Sequence, residues 1–150
     1  MLVSTKGRYA LRLAVDVARH EDEGNVSLRE VSEREGISLK YLEQLARDLV
    51  RAGVFPRRSR QGAGVTPRSR MRRRDGGGTC FRAVEGGHGP VACLELERGG
   101  CPRAKGLLDR AFLERARTRS SSHVDGVSLA DLAAGDASAF DFGRFASSSI

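Results

Sequence analysis

The sequence has no long apolar run and no charged-then-apolar leader at its N-terminus. A membrane-spanning helix needs about 18 or more consecutive apolar residues, and a secretory signal peptide needs such a leader. We therefore expect a cytoplasmic protein without membrane contacts. The chain also lacks a paired nucleophile and base, a glycine loop that cradles phosphate and a complete set of metal ligands, so an enzyme is not expected.

Cysteine is scarce, with three residues in the whole chain. An odd number of thiols cannot all pair within one chain. In a cytoplasmic protein, cysteines indicate metal or redox chemistry, or they have no special role. The three candidates are Cys80, Cys93 and Cys101.

Positive charge is concentrated in one stretch. The formal net charge is +7, and residues 54 to 80 alone contain eight Arg and one Asp. The remainder is therefore neutral, so long-range attraction to a polyanion arises from this stretch. Arg suits bidentate contacts to phosphate or guanine better than Lys does. The alternative is a solvated, disordered linker, and composition alone leaves both open.

The N-terminal segment has the pattern of one amphipathic helix. A chain of this length forms a single hydrophobic core, and residues 4 to 20 place apolar side chains three and four positions apart. Ser4 or Thr5 can cap the start of this helix. The apolar face consists of Tyr9, Ala10, Leu13, Ala14, Val17 and Ala18.

The next segment has the outline of a helix-turn-helix. Ser27 and Glu30 have the spacing of a capping box, and Gly36 supplies a left-handed stop. A following helix should begin after Ser38 and end at Gly53, which gives two short helices joined by a tight turn. Helical pairs of this kind also occur in proteins that do not bind DNA. The polar residues near the start of the second helix are Ser38, Lys40, Tyr41, Glu43 and Gln44.

The C-terminal half has weaker signals. Residues 54 to 80 have no sustained period, and their Gly and Pro content argues against a helix. The stretch "FRAVEGG" predicts a short helix, and a longer one is expected from Pro102 towards Arg119. Ser128 should cap another short helix, and the chain from residue 136 is expected to be frayed. The apolar stripe of the longer helix contains Leu107, Leu108, Ala111, Phe112 and Ala116.

Five motifs occur together: "STKGRYALR", "EGISLKYLEQL", "FRAVEG", "CLELERGGCPRAKG" and "DGVSLADL". Over about residues 1 to 53 and 81 to 132, their order and spacing resemble the Rrf2 family of bacterial winged-helix transcription regulators, which includes IscR, NsrR and CymR. The resemblance implies a mainly α fold, with a winged helix-turn-helix DNA-binding domain and a long C-terminal dimerisation helix. It implies a DNA-binding region over residues 1 to 80, a cysteine loop with dimerisation helices over 81 to 135, and a tail over 136 to 150.

The resemblance also implies a function. A homodimer would bind double-stranded DNA at a palindromic operator, because two-fold symmetry presents two identical recognition helices. The regulator would sense iron-sulfur, redox or related metabolic status. The alternative is a DNA-incompetent dimerisation partner or a non-specific nucleic-acid binder, and for Tyr41 packing is as good an interpretation as base contact. The residues matching the family's DNA contacts are Ser4, Thr5, Lys6, Arg8, Ser38, Lys40, Tyr41, Glu43 and Gln44, with Arg58 and Arg60 in the wing. Those matching its dimerisation helix are Leu107, Leu108, Ala111 and Phe112.

The wing departs from the family pattern. The resemblance implies a two-stranded wing directly after Gly53, but residues 54 to 80 lack the alternation and the aromatic residue that seat a hairpin. A regular wing hairpin is therefore not predicted. Codons for residues 58 to 62, shifted by one base, can encode Val-Arg-Gly-Lys-Gly, which is similar to the family's wing. One hypothesis is a pair of compensating frameshifts, which would make Cys80 an accident rather than a ligand.

The cysteine loop departs from the pattern as well. Cluster-binding members of the family offer three Cys thiolates and a fourth ligand of another type. Cys93 and Cys101 match the first two positions, but the third falls on Leu107. Arg110 stands where IscR-like proteins have a His. An iron-sulfur cluster is one hypothesis, with an incomplete ligand set, and the alternatives are a redox-sensitive pair or a remnant without function.

Overall fold

The computed structural model describes residues 3–20, 23–55, 64–65, 76–86 and 108–135. The fold of these residues is mainly helical, as the sequence predicts. Within them, no helix has the length and apolar composition needed to span a membrane. In chain order the elements are α1 (Thr5–Arg19), β1 (Val26–Ser27), α2 (Leu28–Glu35), α3 (Leu39–Arg51), β2 (Gly64–Val65), α4 (Gly77–Glu85), α5 (Leu108–Gly126) and α6 (Leu129–Ala134).

The central helix of the core is α1, and it begins where the sequence predicts. Ser4 is its N-cap, and the Ser4 hydroxyl accepts a hydrogen bond from the N–H of Gly7 at 3.1 Å. Ala10, Leu13 and Val17 are completely buried on its inward face. This face packs against α3, α4 and α6, so the predicted apolar face is the one that forms the core.

The predicted helix-turn-helix is formed by α2 and α3. Ser27 and Glu30 make both bonds of the capping box, and the Ser27 N–H and hydroxyl hold the pKa of the Glu30 carboxyl below its ordinary value. Gly36 ends α2 with a left-handed φ of +65°, which glycine adopts without steric strain. Ser38 stands at the N-cap of α3, but its side chain makes no capping hydrogen bond. The sequence therefore predicts the position of this N-cap correctly, but the Ser38 side chain does not form the capping hydrogen bond.

An ion pair with a buried carboxylate joins α1 to α2. Asp16 is 4% exposed, and Arg34 donates to its two carboxylate oxygens at 3.0 and 2.7 Å. These hydrogen bonds raise the pKa of Arg34 and compensate for the burial of the Asp16 charge. Farther along the pair of helices, Arg12 donates to the carboxylate of Glu35 at 2.7 Å. The orientation of α2 on α1 is thus fixed at two points.

The two strands form a short antiparallel ladder. Val26 pairs with Val65, and Ser27 pairs with Gly64. The strand β2 therefore lies within the interval of the predicted wing and pairs with the strand that precedes α2. Most of that interval lies outside the described residues, so the expectation about a wing hairpin stays a prediction.

The start of α4 corrects a prediction from the sequence. The expectation that residues 54 to 80 contain no helix is wrong at their end, because α4 begins at Gly77. Contacts with α1, α3 and α5 override the low helix propensity of the glycines. The domain boundary expected at residue 80 falls inside this helix. Cys80 is completely buried, so its thiol is part of the core.

The end of α5 also differs from the prediction. The apolar stripe predicted an end near Arg119, whereas α5 continues to Gly126. The serines in between do not stop the helix, because the next stop signals are Gly126 and the capping box that Ser128 forms with Asp131 at the start of α6. Residues 102 to 107, where the helix was expected to begin, lie outside the described residues.

Candidate nucleic-acid interface

One face of α3 is buried and the other is exposed. Leu42, Leu45 and Leu49 are completely buried, and α3 packs against α1, α2 and α4. These leucines fix the rotation of the helix, so the polar side chains of the opposite face are turned outwards. That exposed face, which we call the α3 surface, consists of Ser38, Lys40, Glu43, Gln44 and Arg47.

The α3 surface offers donors and acceptors that match base edges. Gln44 can pair bidentately with adenine, and Glu43 can accept from the amino group of cytosine. Lys40 and Arg47 can donate to guanine or to phosphate. The surface includes the N-terminal part of the second helix of the helix-turn-helix, which is the part that contacts bases in such motifs.

Tyr41 lies at the edge of this face and is partly buried. Its ring stands edge-on to the ring of Tyr9, with the centroids 6.0 Å apart and an interplanar angle of 83°. The guanidinium groups of Arg8 and Arg12 lie 5.4 and 5.6 Å from the centroid of the Tyr9 ring. The contact with Tyr9 supports the packing interpretation of Tyr41, and a base contact by Tyr41 stays a prediction.

The start of α1 holds four of the predicted DNA contacts, and two of them are engaged within the protein. Thr5 and Arg8 are exposed. The N–H and the hydroxyl of Ser4 both donate to one carboxylate oxygen of Glu85, at 3.1 and 2.7 Å. The fourth residue, Lys6, is bound to groups on α3 and α4. Thr5 and Arg8 are therefore the better candidates for phosphate contacts.

The predicted dimerisation residues lie on α5. Ala111 is exposed, and Phe112 is 72% exposed. Leu108 belongs to the helix by its backbone, and Leu107 lies outside the described residues. A single exposed apolar side chain does not by itself mark an interface, so the dimerisation role of these residues stays a prediction.

The predicted ligands Cys93 and Cys101 lie outside the described residues, as do Arg58 and Arg60 of the wing segment. Within the described part of the chain, no group of three or more His, Cys, Asp or Glu side chains is placed to hold a metal ion. The buried position of Cys80 in α4 places its thiol away from solvent. The structure therefore packs against each other the two helices, α1 and α3, that hold the DNA-contact candidates, while the metal candidates lie outside the described residues.

Known proteins are similar to this chain over most of its length. Residues 3–135 match the Rrf2 family, which is described as an iron-dependent transcriptional regulator. The chain belongs to the Rrf2 family. The HTH-type transcriptional regulator IscR of Aliivibrio salmonicida (strain LFI1238) is 37% identical over 133 residues, which cover 88% of this chain and 77% of that protein.

Two solved structures of Rrf2-family proteins have similar folds. CymR, the global cysteine regulator of B. subtilis, has a TM-score of 0.68 and 30% identity, covering 89% of this chain and 97% of that chain. IscR of T. potens has a TM-score of 0.68 and 31% identity, covering 90% and 88%. The predicted winged-helix class and the predicted role as a transcriptional regulator are thus confirmed. These relatives are transcriptional regulators, which are not enzymes.

Arg47, Asp48 and Glu85 are not among the site residues predicted from the sequence. Arg47 follows Gln44 by three positions, so helical spacing alone places both on one face. Asp48 and Glu85 are important because of what they bind on α1, and no local pattern indicates partners so distant in the sequence.

Proposed function

We propose that this Rrf2-family regulator binds a palindromic operator in double-stranded DNA with α3 in the major groove. The observation that carries the proposal is the α3 surface, whose polar side chains are exposed while buried leucines hold the opposite face. Thr5 and Arg8 at the start of α1 would contact phosphate and fix the register of the helix on the duplex. Arg58 and Arg60 would add phosphate contacts from the wing segment.

We also propose a homodimer that pairs through α5. Phe112 is largely exposed, and the small Ala111 beside it allows close approach of a second helix. Leu107 and Leu108 belong to the same apolar stripe in the sequence. Isologous pairing would present two α3 surfaces related by a two-fold axis, which matches a palindromic operator.

Gln44→Ala should weaken operator binding by about 1–3 kcal/mol, roughly 5- to 150-fold, because a bidentate pair with adenine is lost. The measurement is an electrophoretic mobility shift with a duplex that the wild-type protein has selected from a random-sequence library. Binding to unrelated duplexes should be unchanged, since that binding depends on phosphate contacts.

The matched control is Ser122→Ala, an exposed polar residue on α5, which should bind the selected duplex like the wild type. Equal binding of Gln44→Ala and wild type would contradict the assignment of α3 as the recognition helix. If the wild type bound all duplexes equally, the alternative of a non-specific nucleic-acid binder would be favoured instead.

We propose that the regulatory signal acts on the segment between α4 and α5, which contains Cys93 and Cys101. The family is described as iron-dependent, and the B. subtilis relative is named a cysteine regulator. The donor set of this chain does not fit an iron-sulfur cluster, because Leu107 at the third ligand position has no donor atom. The two thiols are instead proposed to act as a redox-sensitive pair.

Protein purified without oxygen should be colourless and free of iron, because two thiolates do not complete a cluster site. The measurements are visible absorption and iron analysis. After mild oxidation, a thiol titration of the denatured chain should find one of its three thiols still reduced, that of the buried Cys80. A brown sample containing iron would contradict the misfit of the donor set.

A further inference from the structure

Lys6 lies where α1, α3 and α4 meet. Its Nζ donates a hydrogen bond to the main-chain carbonyl of Val84 at 3.0 Å and forms an ion pair with Oδ2 of Asp48, also at 3.0 Å. The side chain of Asp48 is 16% exposed and that of Lys6 is 34% exposed. A single ammonium group therefore joins the recognition helix to the C-terminal end of α4.

The same end of α4 is joined to α1 by Glu85. Its carboxylate accepts both hydrogen bonds of Ser4, directly before the first turn of α1. Gly7 permits this approach, since a Cβ on Gly7 would overlap the Glu85 carboxylate oxygen and would lie 3.0 Å from its Cδ. Together with the bonds of Lys6, these contacts hold the start of α1 and the C-terminal part of α3, where Asp48 lies, against the end of α4.

Lys6 is poorly placed to neutralise a DNA phosphate. Its charge faces Asp48, and contact with a phosphate would leave that largely buried carboxylate without its Lys6 partner. Arg51 also pairs with Asp48 at 3.2 Å, but the side chain of Arg51 is 79% exposed, so that pair contributes little. Arg8, in contrast, is exposed beside the ring of Tyr9 and can contact phosphate without breaking the Lys6 pair.

We propose that Lys6 and Asp48 are positioning residues for operator recognition, not DNA contacts. The pair fixes the orientation of α3 on α1 and α4, and this orientation determines how the α3 surface meets the base edges. Bidentate hydrogen bonds need aligned donors and acceptors, so a small rotation of α3 lowers the discrimination between base pairs. The inference rests on the proposed DNA-binding function of α3.

The direction in which Asp48→Asn changes the affinity for DNA tests the positioning role. If the side chain acted only through its charge, removal of a negative group near the DNA would tighten binding to every duplex. As the loss of a positioning residue, the same change should lower the ratio of operator affinity to non-specific affinity, on the order of tenfold. The assay uses the full chain with the selected duplex and with a scrambled duplex of the same composition.

Lys6→Met should lower the same affinity ratio by a similar factor. The slope of log affinity against log salt should not change, whereas the loss of a phosphate contact would reduce its magnitude by about 0.9. The double variant Lys6→Met/Asp48→Asn should be no worse than either single variant, because both changes remove one pair. Arg8→Met is the control, and it should weaken binding to both duplexes and reduce the slope.

Tighter binding of Asp48→Asn to both duplexes would overturn the inference. So would a reduced salt slope for Lys6→Met with an unchanged affinity ratio, or additive losses in the double variant. Circular dichroism melting identifies any variant that does not fold, and either single variant decides the question without the other. If the wild type shows no preference for the selected duplex, or if Gln44→Ala equals it, the proposed function itself fails. If the wild type binds the operator specifically and the Lys6 and Asp48 variants keep the same affinity ratio, only the positioning role is refuted.

Discussion

Gly76→Ala should destabilise the fold by about 2 kcal/mol and lower the melting temperature by roughly 4–8 °C, because a side chain at this position has no space. A Cβ on Gly76 would overlap the carbonyl oxygen of Asp125 and would lie 2.7 and 2.8 Å from the carbonyl carbon and Cα of the same residue. These are backbone atoms at the end of α5, so a rotamer change cannot relieve the overlap. The φ of Gly76 is −68°, which any residue adopts, so the effect is purely one of space.

The neighbouring glycine provides the matched control. A Cβ on Gly77 would lie 3.5 and 3.7 Å from methyl carbons of Leu11 and Leu132, which are ordinary van der Waals distances. Gly77→Ala should therefore leave stability unchanged or raise it by up to about 1 kcal/mol, since alanine is the better helix former. Thermal unfolding followed by circular dichroism compares the two variants. Equal melting temperatures would contradict the close approach of Gly76 to the end of α5.

Phe112→Asp should convert the proposed dimer into monomers. The change acts twice in a two-fold interface, and a central aromatic residue contributes about 2 kcal/mol or more per copy, so the dissociation constant should rise about a thousandfold. Sedimentation equilibrium measures the change directly, and operator affinity should fall with it because the two half-sites are no longer bound together.

Ser122→Asp is the control for charge. It places the same carboxylate at an exposed position of α5 that is not on the predicted apolar stripe, and it should leave the dimer intact. If the wild-type protein were monomeric, or if Phe112→Asp remained a dimer, pairing through this face would be ruled out.

The features that the sequence predicted correctly have local signals. The capping box of Ser27 and Glu30, the Ser128 cap, Gly36 and the apolar faces of α1 and α3 involve residues within a few positions of one another. Such patterns determine where a helix begins, where it ends and which side is buried. These patterns also predict the outward face of α3, because burial of the leucines on one side of the helix turns the polar side chains towards solvent.

The features that the sequence did not predict depend on distant contacts. The glycines at the start of α4 have low helix propensity, and only packing against other helices shows that they begin a helix. The partners of Lys6 lie on α3 and α4. Because they are distant in the sequence, the sequence alone does not distinguish Lys6 from the nearby basic residue Arg8. The extension of α5 beyond Arg119 has a different reason, because this polar stretch has no apolar periodicity that would predict a helix.

The three consecutive glycines at residues 76 to 78 have a consequence for the geometry of an operator. Cβ atoms on Gly76 and Gly78 would collide with the backbone and the carboxylate of Asp125, so the end of α5 is seated against the core only because these side chains are absent. In a dimer joined through α5, this packing would determine the direction in which α5 connects the two helical cores. The distance between the paired recognition helices, and with it the number of base pairs between half-sites, then depends on glycines that touch no DNA.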